Sequence, residues 1–368
     1  MSLPVLGSTH QSVSVASTVA ASDSFAPVAI HKRFDPASET TLLMSHPKIK
    51  YIGRFDQSNA STSVRWGWPG SYFRVRIEGT SFKIALAEPD NHTLVFIDGV
   101  KRADIPPKRG KQKVMVAADL DPNWSHDVVV YKRSEYAADP GRIYNLFLDG
   151  GATLLSAPEH DRKIVFVGDS FTAGYGNIAT SQTSFPDSMT HDEDTSQTYA
   201  AYSANRLNAD YQIIATSGTG IFRNRTASLS QSPDSMANEY IRVISGLTAS
   251  YDFSQFEADL VHIFVGLNDY AEGDLPTDDY IGNYLKLING FRDRNPGIKI
   301  LCAGFGDRFA DSVAAMVAAE KTAGKTDIEY YFLPDMELNP LGDWHPSVQG
   351  HRTAAAYATA AIQDVMNW

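Results

Sequence analysis

The sequence predicts an α/β protein in which an all-β sandwich precedes a larger domain built on a parallel sheet. From about 48 to 151, apolar and polar residues alternate with a period of two, as in half-buried strands. From 163 to 368, short apolar runs instead alternate with stretches of helical periodicity. The turn-rich segment 152–162 is typical of a connector. A length of 368 residues is also that expected of about two domains.

Residues 1–47 are interpreted as a lead-in that is partly flexible. The stretch 8–24 is rich in Ser, Thr, Val and Ala, and residues 1–4 lack the basic and continuous apolar regions of a signal peptide. This composition suits a segment from which an export signal has been removed. It therefore favours a secreted or periplasmic protein whose signal peptide is not in this chain.

The segment 48–151 contains several short strands. Alternation is clearest at 73–77 and 82–86, and Asp98-Gly99 is typical of a hairpin turn. Strand-like runs recur about every ten residues without a convincing helix, which indicates a β-sandwich or jelly roll. Trp66 and Trp68 near its start could face a sugar or pack in the core or between domains.

The segment 163–368 predicts a flavodoxin-like three-layer domain, in which helices cover both faces of a five-stranded parallel sheet. The predicted strands are 163–168, 211–216, 260–265, 298–303 and 328–333. The predicted helices are 196–208, 233–248, 277–293, 308–322 and 347–366. An acidic insertion at 177–195 interrupts the alternation, and so long a connection usually borders an active site or is mobile. Its His191 and neighbouring carboxylates are more typical of a solvated loop than of a metal site.

A serine at a sharp turn is the first candidate for chemistry. The apolar run 164–167 predicts a central strand, and Gly168-Asp169-Ser170 places the serine hydroxyl just past its carboxyl end. Open α/β sheets bind their ligands at that edge. A serine alone is a weak nucleophile, so this interpretation requires a histidine base, a group that orients it, and donors for an oxyanion.

His345 is the candidate base, because it follows the last predicted strand and opens the final helix. His262 lies inside a predicted strand, and His351 lies one or two turns into the helix, where packing or capping is the more ordinary role. Asp343 could accept the hydrogen bond that fixes the imidazole tautomer. Alternatively, a backbone carbonyl does so and leaves a Ser-His dyad.

Two further turns supply candidate donors for an oxyanion. Gly218 follows the second predicted strand, and Asn268 follows the third. Because parallel strands share their carboxyl ends, both turns should lie at the same sheet edge as Ser170. When a carbonyl group is attacked, its oxygen becomes negatively charged in the tetrahedral intermediate. A backbone N–H at a glycine turn and a side-chain amide can each stabilise this charge by a hydrogen bond.

The stretch 168–177, Gly-Asp-Ser-Phe-Thr-Ala-Gly-Tyr-Gly-Asn, resembles the first sequence block of the SGNH (GDSL-type) hydrolases. The resemblance implies that Ser170 is the nucleophile and that its N–H, the Gly218 N–H and the Asn268 amide form the oxyanion hole. Two departures stand out. Ile or Leu is commoner than Phe171 in this block, and the family usually places its aspartate three residues before the histidine, where this chain has Gly342.

With a preceding β-sandwich, the chain resembles carbohydrate esterase family 2, whose members remove acetyl groups from plant cell-wall polysaccharides. The likeness covers about 48–368, including Trp-Pro-Gly-Ser at 68–71 and His-Pro-Ser-x-x-Gly-His at 345–351. It implies an acetylxylan esterase-like serine esterase that acts on xylan or glucomannan through an acetyl-enzyme on Ser170. Trp344 and Tyr270 are candidate substrate-binding residues, because flat rings stack on pyranoses. The alternatives are a lipase or thioesterase of the same type and a catalytically inactive carbohydrate-binding protein.

Composition limits the partners. A net charge of −11 argues against nucleic acid and anionic membrane surfaces, and no apolar run reaches the roughly 20 residues that span a bilayer. Cys302 is the only cysteine, so an intrachain disulfide and a cysteine-containing zinc site are excluded. The proposed chemistry requires no metal or organic cofactor. The expected partner is an acetylated polysaccharide or oligosaccharide, and the oligomeric state stays open.

Overall fold

The computed structural model describes residues 34–137, 139–227, 231–271, 273–306 and 308–368. The predicted flexible part of the lead-in, including 8–24, lies outside the described residues. The last part of the predicted lead-in is ordered into strand β1 (Asp35–Leu43), which pairs with the strand Gly141–Gly150. The all-β region therefore begins before the predicted boundary at 48, because polar residues at 38–41 conceal this edge strand in the sequence.

Two six-stranded antiparallel sheets form the first part of the structure. The strands after β1 are β2 (Lys50–Ile52), β3 (Phe55–Asp56), β4 (Val64–Trp66), β5 (Tyr72–Glu78), β6 (Phe82–Glu88), β7 (Thr93–Ile97), β8 (Val100–Ile105), β9 (Lys108–Ala117), β10 (Ser125–Lys132), β11 (Gly141–Gly150) and β12 (Thr153–Leu155). One sheet has the order β3-β4-β11-β6-β9, with β1 also on β11. The other has the order β12-β5-β10-β7-β8, with β2 also on β5.

The inward-facing side chains of both sheets form one hydrophobic core. Val75 and Val128 of one sheet belong to the same buried cluster as Ile84 and Leu146 of the other. This is what the period-two alternation requires, because every second side chain of a strand points to the same face. The predicted antiparallel β domain is confirmed. Part of the predicted connector, Thr153–Leu155, extends the second sheet as β12.

A five-stranded parallel sheet forms the second part, as predicted. Its strands are β13 (Arg162–Gly168), β14 (Ala209–Ala215), β15 (Leu260–Phe264), β16 (Lys299–Gly304) and β17 (Ile328–Phe332), in the order β14-β13-β15-β16-β17. A two-stranded ribbon, β18 (Leu338–Asn339) and β19 (His345–Pro346), follows β17. Most residues of β13 to β16 are buried, as expected where helices cover a parallel sheet.

The helices range from the four residues of a single turn to 19 residues. They are α1 (Ser170–Ala173), α2 (Asp187–Thr190), α3 (Tyr199–Arg206), α4 (Met236–Glu239), α5 (Thr277–Arg294), α6 (Arg308–Thr322) and α7 (Val348–Met366). Helix α3 packs against α7, and α5 packs against both α4 and α6. Within the described residues, none of the helices combines the length and apolarity needed to cross a membrane.

The predicted helix at 233–248 is wrong, because only the four residues of α4 are helical there. The fully buried Arg54 of the sandwich donates hydrogen bonds through Nη1 to the carbonyl oxygens of Tyr240 and Arg242. These carbonyls would otherwise accept bonds within the helix. Gly246, with φ 72°, then turns the chain. A side chain from another region has thus replaced the local helical bonding.

Several buried contacts join the sandwich to the α/β region. Arg74 of β5 forms a buried ion pair with Asp210 of β14, and Tyr72 Oη donates to the same carboxylate at 3.2 Å. Trp68 Nε1 donates to the Arg242 carbonyl oxygen at 3.2 Å. Trp66 and Trp68 are both fully buried, so they pack inside the protein and neither ring faces a sugar.

Candidate active site

Ser170 lies at the sharp turn between β13 and α1. Asp169 caps the helix, since its Oδ1 accepts a hydrogen bond from the Phe171 N–H at 3.1 Å. A Cβ at Gly168 would collide with Thr172 Oγ1, so only glycine fits before this turn. The turn places the Ser170 side chain, which is 7% exposed, at the carboxyl end of β13, an interior strand of the sheet. The local sequence thus folds as predicted.

His345 meets Ser170 directly. Its Nε2 lies 2.9 Å from Ser170 Oγ, although 175 residues separate the two in sequence. The β18–β19 ribbon holds the histidine, and the rings of Tyr175 and Phe171 lie 4.4 and 5.3 Å from the imidazole centroid. Burial lowers the pKa of His345, which a hydrogen bond to the Asp343 backbone partly opposes. A neutral imidazole that accepts the serine proton is therefore favoured.

The group that orients His345 is a backbone carbonyl. Nδ1 of the imidazole lies 3.0 Å from the carbonyl oxygen of Asp343. Asp343 and Trp344 both have left-handed backbone conformations, with φ of 55° and 57°, which fold the chain back on itself. This corrects the expectation for the Asp343 carboxyl group: with only one residue in between, the carbonyl reaches the ring instead. The arrangement corresponds to the alternative of a Ser-His dyad.

The two candidate oxyanion donors share a cavity with Ser170 and His345. This cavity has a volume of about 710 Å³, and Gly218 and Asn268 both line it. Gly218 has φ 76°, which a glycine adopts without strain. Asn268 Nδ2 donates to the Thr219 carbonyl oxygen at 3.0 Å. An amide has two N–H donors, so a second one remains for a ligand.

Asp269 holds the loop after β14, a role that the sequence analysis missed. Its carboxylate accepts hydrogen bonds from the backbone N–H groups of Ile221, Phe222 and Arg223, each at 2.8 Å. The Arg223 side chain in turn donates to the Asp269 carbonyl oxygen. Burial raises the pKa of Asp269 to about 6, against the effect of these bonds. The sequence did contain a signal for a role of Asp269, because this second polar residue directly follows Asn268 after a buried strand.

The acidic insertion 177–195 borders the cavity. Phe185 lines it and is 69% exposed. The rest of the insertion is anchored on the sandwich, since Ser134 Oγ donates to the Thr190 carbonyl oxygen at 3.0 Å and Arg133 donates to the His191 carbonyl oxygen. Of the two roles weighed for so long a connection, the structure favours the active-site border. In the part of the chain that the structure describes, no group of three or more His, Cys, Asp or Glu side chains could hold a metal ion.

The two candidate sugar-binding rings are placed differently. Trp344 is 67% exposed beside His345, although it is not among the described residues that line the cavity. Tyr270 is not among them either. Its ring packs edge-on against Tyr280 at 5.5 Å, and its hydroxyl lies 3.2 Å from Ser312 Oγ. The turn after Asn268 directs the Tyr270 ring toward α5 and α6, and a role of Tyr270 in substrate binding stays a prediction.

His351, for which packing or capping was expected, is fully buried in α7. Its Nδ1 accepts a hydrogen bond from the Tyr199 N–H at 3.3 Å, and its ring stacks on that of Tyr199. Burial lowers the pKa of His351 to about 3. The residue thus joins α7 to α3 and is separate from the Ser170–His345 pair.

Two protein families match the chain. Residues 51–158 match the family described as Carbohydrate esterase 2 N-terminal, and residues 166–353 match the GDSL-like Lipase/Acylhydrolase family. The first match covers most of the sandwich. The second covers slightly more than half of the chain and contains Ser170, Gly218, Asn268 and His345.

Curated relatives have related names. The chain is 30% identical over 341 residues to the cellulase/esterase CelE of Acetivibrio thermocellus, with 88% of this chain covered but only 40% of the length of that relative. It is 26% identical over 320 residues to an acetylxylan esterase / glucomannan deacetylase of Cellvibrio japonicus, with 83% of this chain and 87% of the relative covered.

Solved structures agree in fold. A family two carbohydrate esterase from Clostridium thermocellum in complex with cellohexaose superposes with a TM-score of 0.78 at 26% identity, covering 87% of this chain and 99% of that one. A family two carbohydrate esterase from Cellvibrio japonicus superposes with a TM-score of 0.80 at 22% identity, covering 90% and 99%.

Proposed function

Because the chain belongs to the GDSL-like lipase/acylhydrolase family and carries the N-terminal region of family 2 carbohydrate esterases, we propose that it removes O-acetyl groups from plant cell-wall polysaccharides. The chain is a carboxylic ester hydrolase. Xylan and glucomannan are the proposed substrates. We assign catalysis to the α/β region and regard the preceding sandwich as a separate domain.

In the proposed mechanism, His345 Nε2 takes the proton of Ser170 as Oγ attacks the acetyl carbonyl carbon. The Ser170 N–H, the Gly218 N–H and the Asn268 amide stabilise the oxyanion, and each such donor contributes about 10²- to 10³-fold in rate. As the tetrahedral intermediate collapses, His345 gives this proton to the departing sugar oxygen, which leaves as a hydroxyl group. Water, deprotonated by the same histidine, hydrolyses the acetyl-enzyme and restores Ser170.

The observation that carries this proposal is the contact of 2.9 Å between Ser170 Oγ and His345 Nε2. Gly218 and Asn268 line the same cavity, so nucleophile, base and both loop donors surround one volume. This assembly draws on the carboxyl ends of three strands and on the ribbon after β17. An ester carbonyl is the group that such a set can attack and stabilise.

The substrate class has support of a different kind. The names of the relatives include acetylxylan esterase and glucomannan deacetylase, and the Clostridium thermocellum structure contains cellohexaose. In this chain, Trp344 presents an exposed ring next to His345. A substrate outside the cell would also require export, so we propose that the protein acts as a secreted or periplasmic enzyme.

The test is acetate release from acetylated xylan and acetylated glucomannan by the protein and by Ser170→Ala. Release that disappears in the variant would support a serine esterase acting on polysaccharide, and the two rates would rank the substrates. Hydrolysis of a small acetate ester without release from either polymer would contradict the cell-wall substrate but keep the Ser170 chemistry. Fatty-acid release in preference to acetate would favour the lipase alternative.

A further inference from the structure

A carboxylate of the sandwich reaches the loop that carries Gly218. Glu135 lies between β10 and β11 and is 3% exposed. Its Oε2 accepts a hydrogen bond from the Ser217 N–H at 2.8 Å, and its Oε1 accepts one from Ser217 Oγ. Ser217 immediately precedes Gly218 and itself lines the catalytic cavity. Both hydrogen-bond donors of Ser217 thus bind one side chain of the sandwich.

Glu135 is itself held firmly. Its backbone N–H donates to Glu193 Oε1 at 2.9 Å, and its carbonyl oxygen accepts from Asn91 Nδ2 at 2.6 Å. The Asn91 Oδ1 atom in turn accepts from the buried ammonium of Lys132, whose Nζ lies 3.6 Å from Glu88 Oε2. A buried polar group with all these partners has few alternative positions. Glu135 can therefore act as a fixed point for Ser217.

The loop at Gly218 depends on such fixed points. A Cβ built at Gly218 would meet no atom within 4 Å, so the glycine faces open space rather than packed side chains. After the glycine, Asp269 binds three consecutive N–H groups at 221–223. Before it, Glu135 binds Ser217. One carboxylate on each side thus constrains the loop, together with the hydrogen bond that the Gly218 carbonyl oxygen accepts from the Arg225 N–H at 2.9 Å.

We propose that Glu135 is a positioning residue of the esterase site, which aims the Gly218 N–H at the oxyanion by holding Ser217. This inference rests on the proposed serine esterase function. It makes the sandwich a working part of the catalytic site, because Glu135 acts across the boundary between the two regions. Replacement of Glu135 should then reduce transition-state stabilisation while substrate binding changes little.

The neighbouring residue offers a matched control. Tyr136 also crosses to the α/β region, where its hydroxyl donates to the Ser245 carbonyl oxygen. That bond does not involve the Gly218 loop. If Glu135 served only to hold the two regions together, Tyr136→Phe and a Glu135 variant would have similar consequences. If Glu135 positions the oxyanion donor, only the Glu135 variant should impair the chemistry.

The experiment compares kcat and KM for a small acetate ester, and the rate at which a phosphonate labels Ser170, in the whole protein and its variants. Because burial raises the pKa of Glu135 to about 7, the assays are run above that pH, where the carboxyl is charged. We expect Glu135→Ala to lower kcat and the labelling rate about tenfold to a hundredfold, which is less than the roughly 10²- to 10³-fold cost of removing an oxyanion donor, with KM nearly unchanged. Glu135→Gln retains an acceptor oxygen and a donor for Ser217 Oγ and should recover most of this loss. Tyr136→Phe should leave kcat unchanged.

Three results would overturn the proposal: a Glu135→Ala protein with normal kcat, a loss no greater than that of Tyr136→Phe, or a loss confined to KM. Should Glu135→Ala not fold, Ser217→Ala can be used instead, because it removes the hydrogen bond from Ser217 Oγ to Glu135 and keeps the one from the Ser217 N–H. We expect it to lower kcat about threefold to tenfold, in line with the loss of one hydrogen bond, and an unchanged kcat would refute the proposal. A wild-type protein that neither hydrolyses the ester nor labels at Ser170 would instead refute the esterase function itself.

Discussion

Nδ1 of His345 lies 3.0 Å from the backbone carbonyl oxygen of Asp343, two residues earlier in the chain. A carbonyl oxygen can only accept a hydrogen bond, so Nδ1 carries the proton when the ring is neutral. Nε2 is then the unprotonated nitrogen, and it is the atom that faces Ser170. The left-handed turn at 343–344 thus performs the tautomer selection that a carboxylate performs in a Ser-His-Asp triad.

This relationship predicts unequal effects at the two residues. Asp343→Asn keeps the carbonyl and suits a residue with φ 55°, so we expect kcat/KM to fall by less than about tenfold. Loss of an orienting aspartate in a true triad costs about 10⁴-fold. His345→Ala removes the base and should cost at least about 10³-fold. Kinetics with a small acetate ester compare the two, and similar losses would contradict the dyad.

The acid limb of the pH profile should lie below the ordinary histidine pKa of about 6.5. Burial lowers the pKa of His345, so the neutral form that accepts the Ser170 proton persists to lower pH. In the Glu135→Gln variant, in which the titration of Glu135 near pH 7 is absent, the midpoint of the fall in kcat/KM should therefore lie below pH 6.5. The profile is measured alongside circular dichroism, which separates titration from unfolding. A midpoint above 6.5 would contradict the buried, neutral base.

Asp269→Asn should weaken both the fold and the site. The amide has one acceptor oxygen in place of two, so the three N–H groups at 221–223 can no longer all be satisfied. We expect the free energy of unfolding in urea to fall by about 1–3 kcal/mol. Asp252→Asn is the control, since its exposed carboxylate bonds only within its own turn and a change under about 0.5 kcal/mol is expected. Equal effects would show that Asp269 has no special role.

Replacing Trp344 should separate polymer from small substrates. The ring is 67% exposed beside the base, so it can contact a sugar without supporting the core. We expect Trp344→Ala to reduce kcat/KM about tenfold or more on acetylated oligosaccharides and much less on a small acetate ester. Trp344→Asn serves as the backbone control, because Asn tolerates the left-handed φ of 57°. Parallel losses on both substrates would indicate that the ring is structural.

His262 should make the stability depend on pH. It is fully buried in β15, its Nε2 lies 2.7 Å from Tyr331 Oη, and burial lowers its pKa to about 3. Between about pH 6.5 and 3 the unfolded chain binds the extra proton, so the free energy of unfolding falls as the pH falls through this window. His262→Phe should reduce this slope, measured by urea unfolding at several pH values. An unchanged slope would show that His262 is protonated in the folded protein.

The periodicity of the sequence determined both the β-sandwich and the parallel sheet. Period two from 48 to 151 and the five apolar runs after 163 correspond to the observed strands, because each pattern reports which faces are buried. The Gly-Asp-Ser turn and the position of His345 after the last strand also predicted which residues meet. Parallel strands place their carboxyl ends at one edge, so chain order was sufficient to bring Ser170, Gly218, Asn268 and His345 together.

Only the tertiary structure decided which atoms act at that edge. Whether the carboxyl or the carbonyl of Asp343 faces the imidazole depends on two left-handed residues, which no local pattern specified. In the segment 233–248, where a helix was expected, Arg54 binds carbonyl oxygens that a helix would have used. Ser217 is held by Glu135, which is 82 residues away in sequence. Periodicity records only whether a side chain is buried, whereas a buried polar group takes whichever partner the folded chain brings within hydrogen-bonding distance.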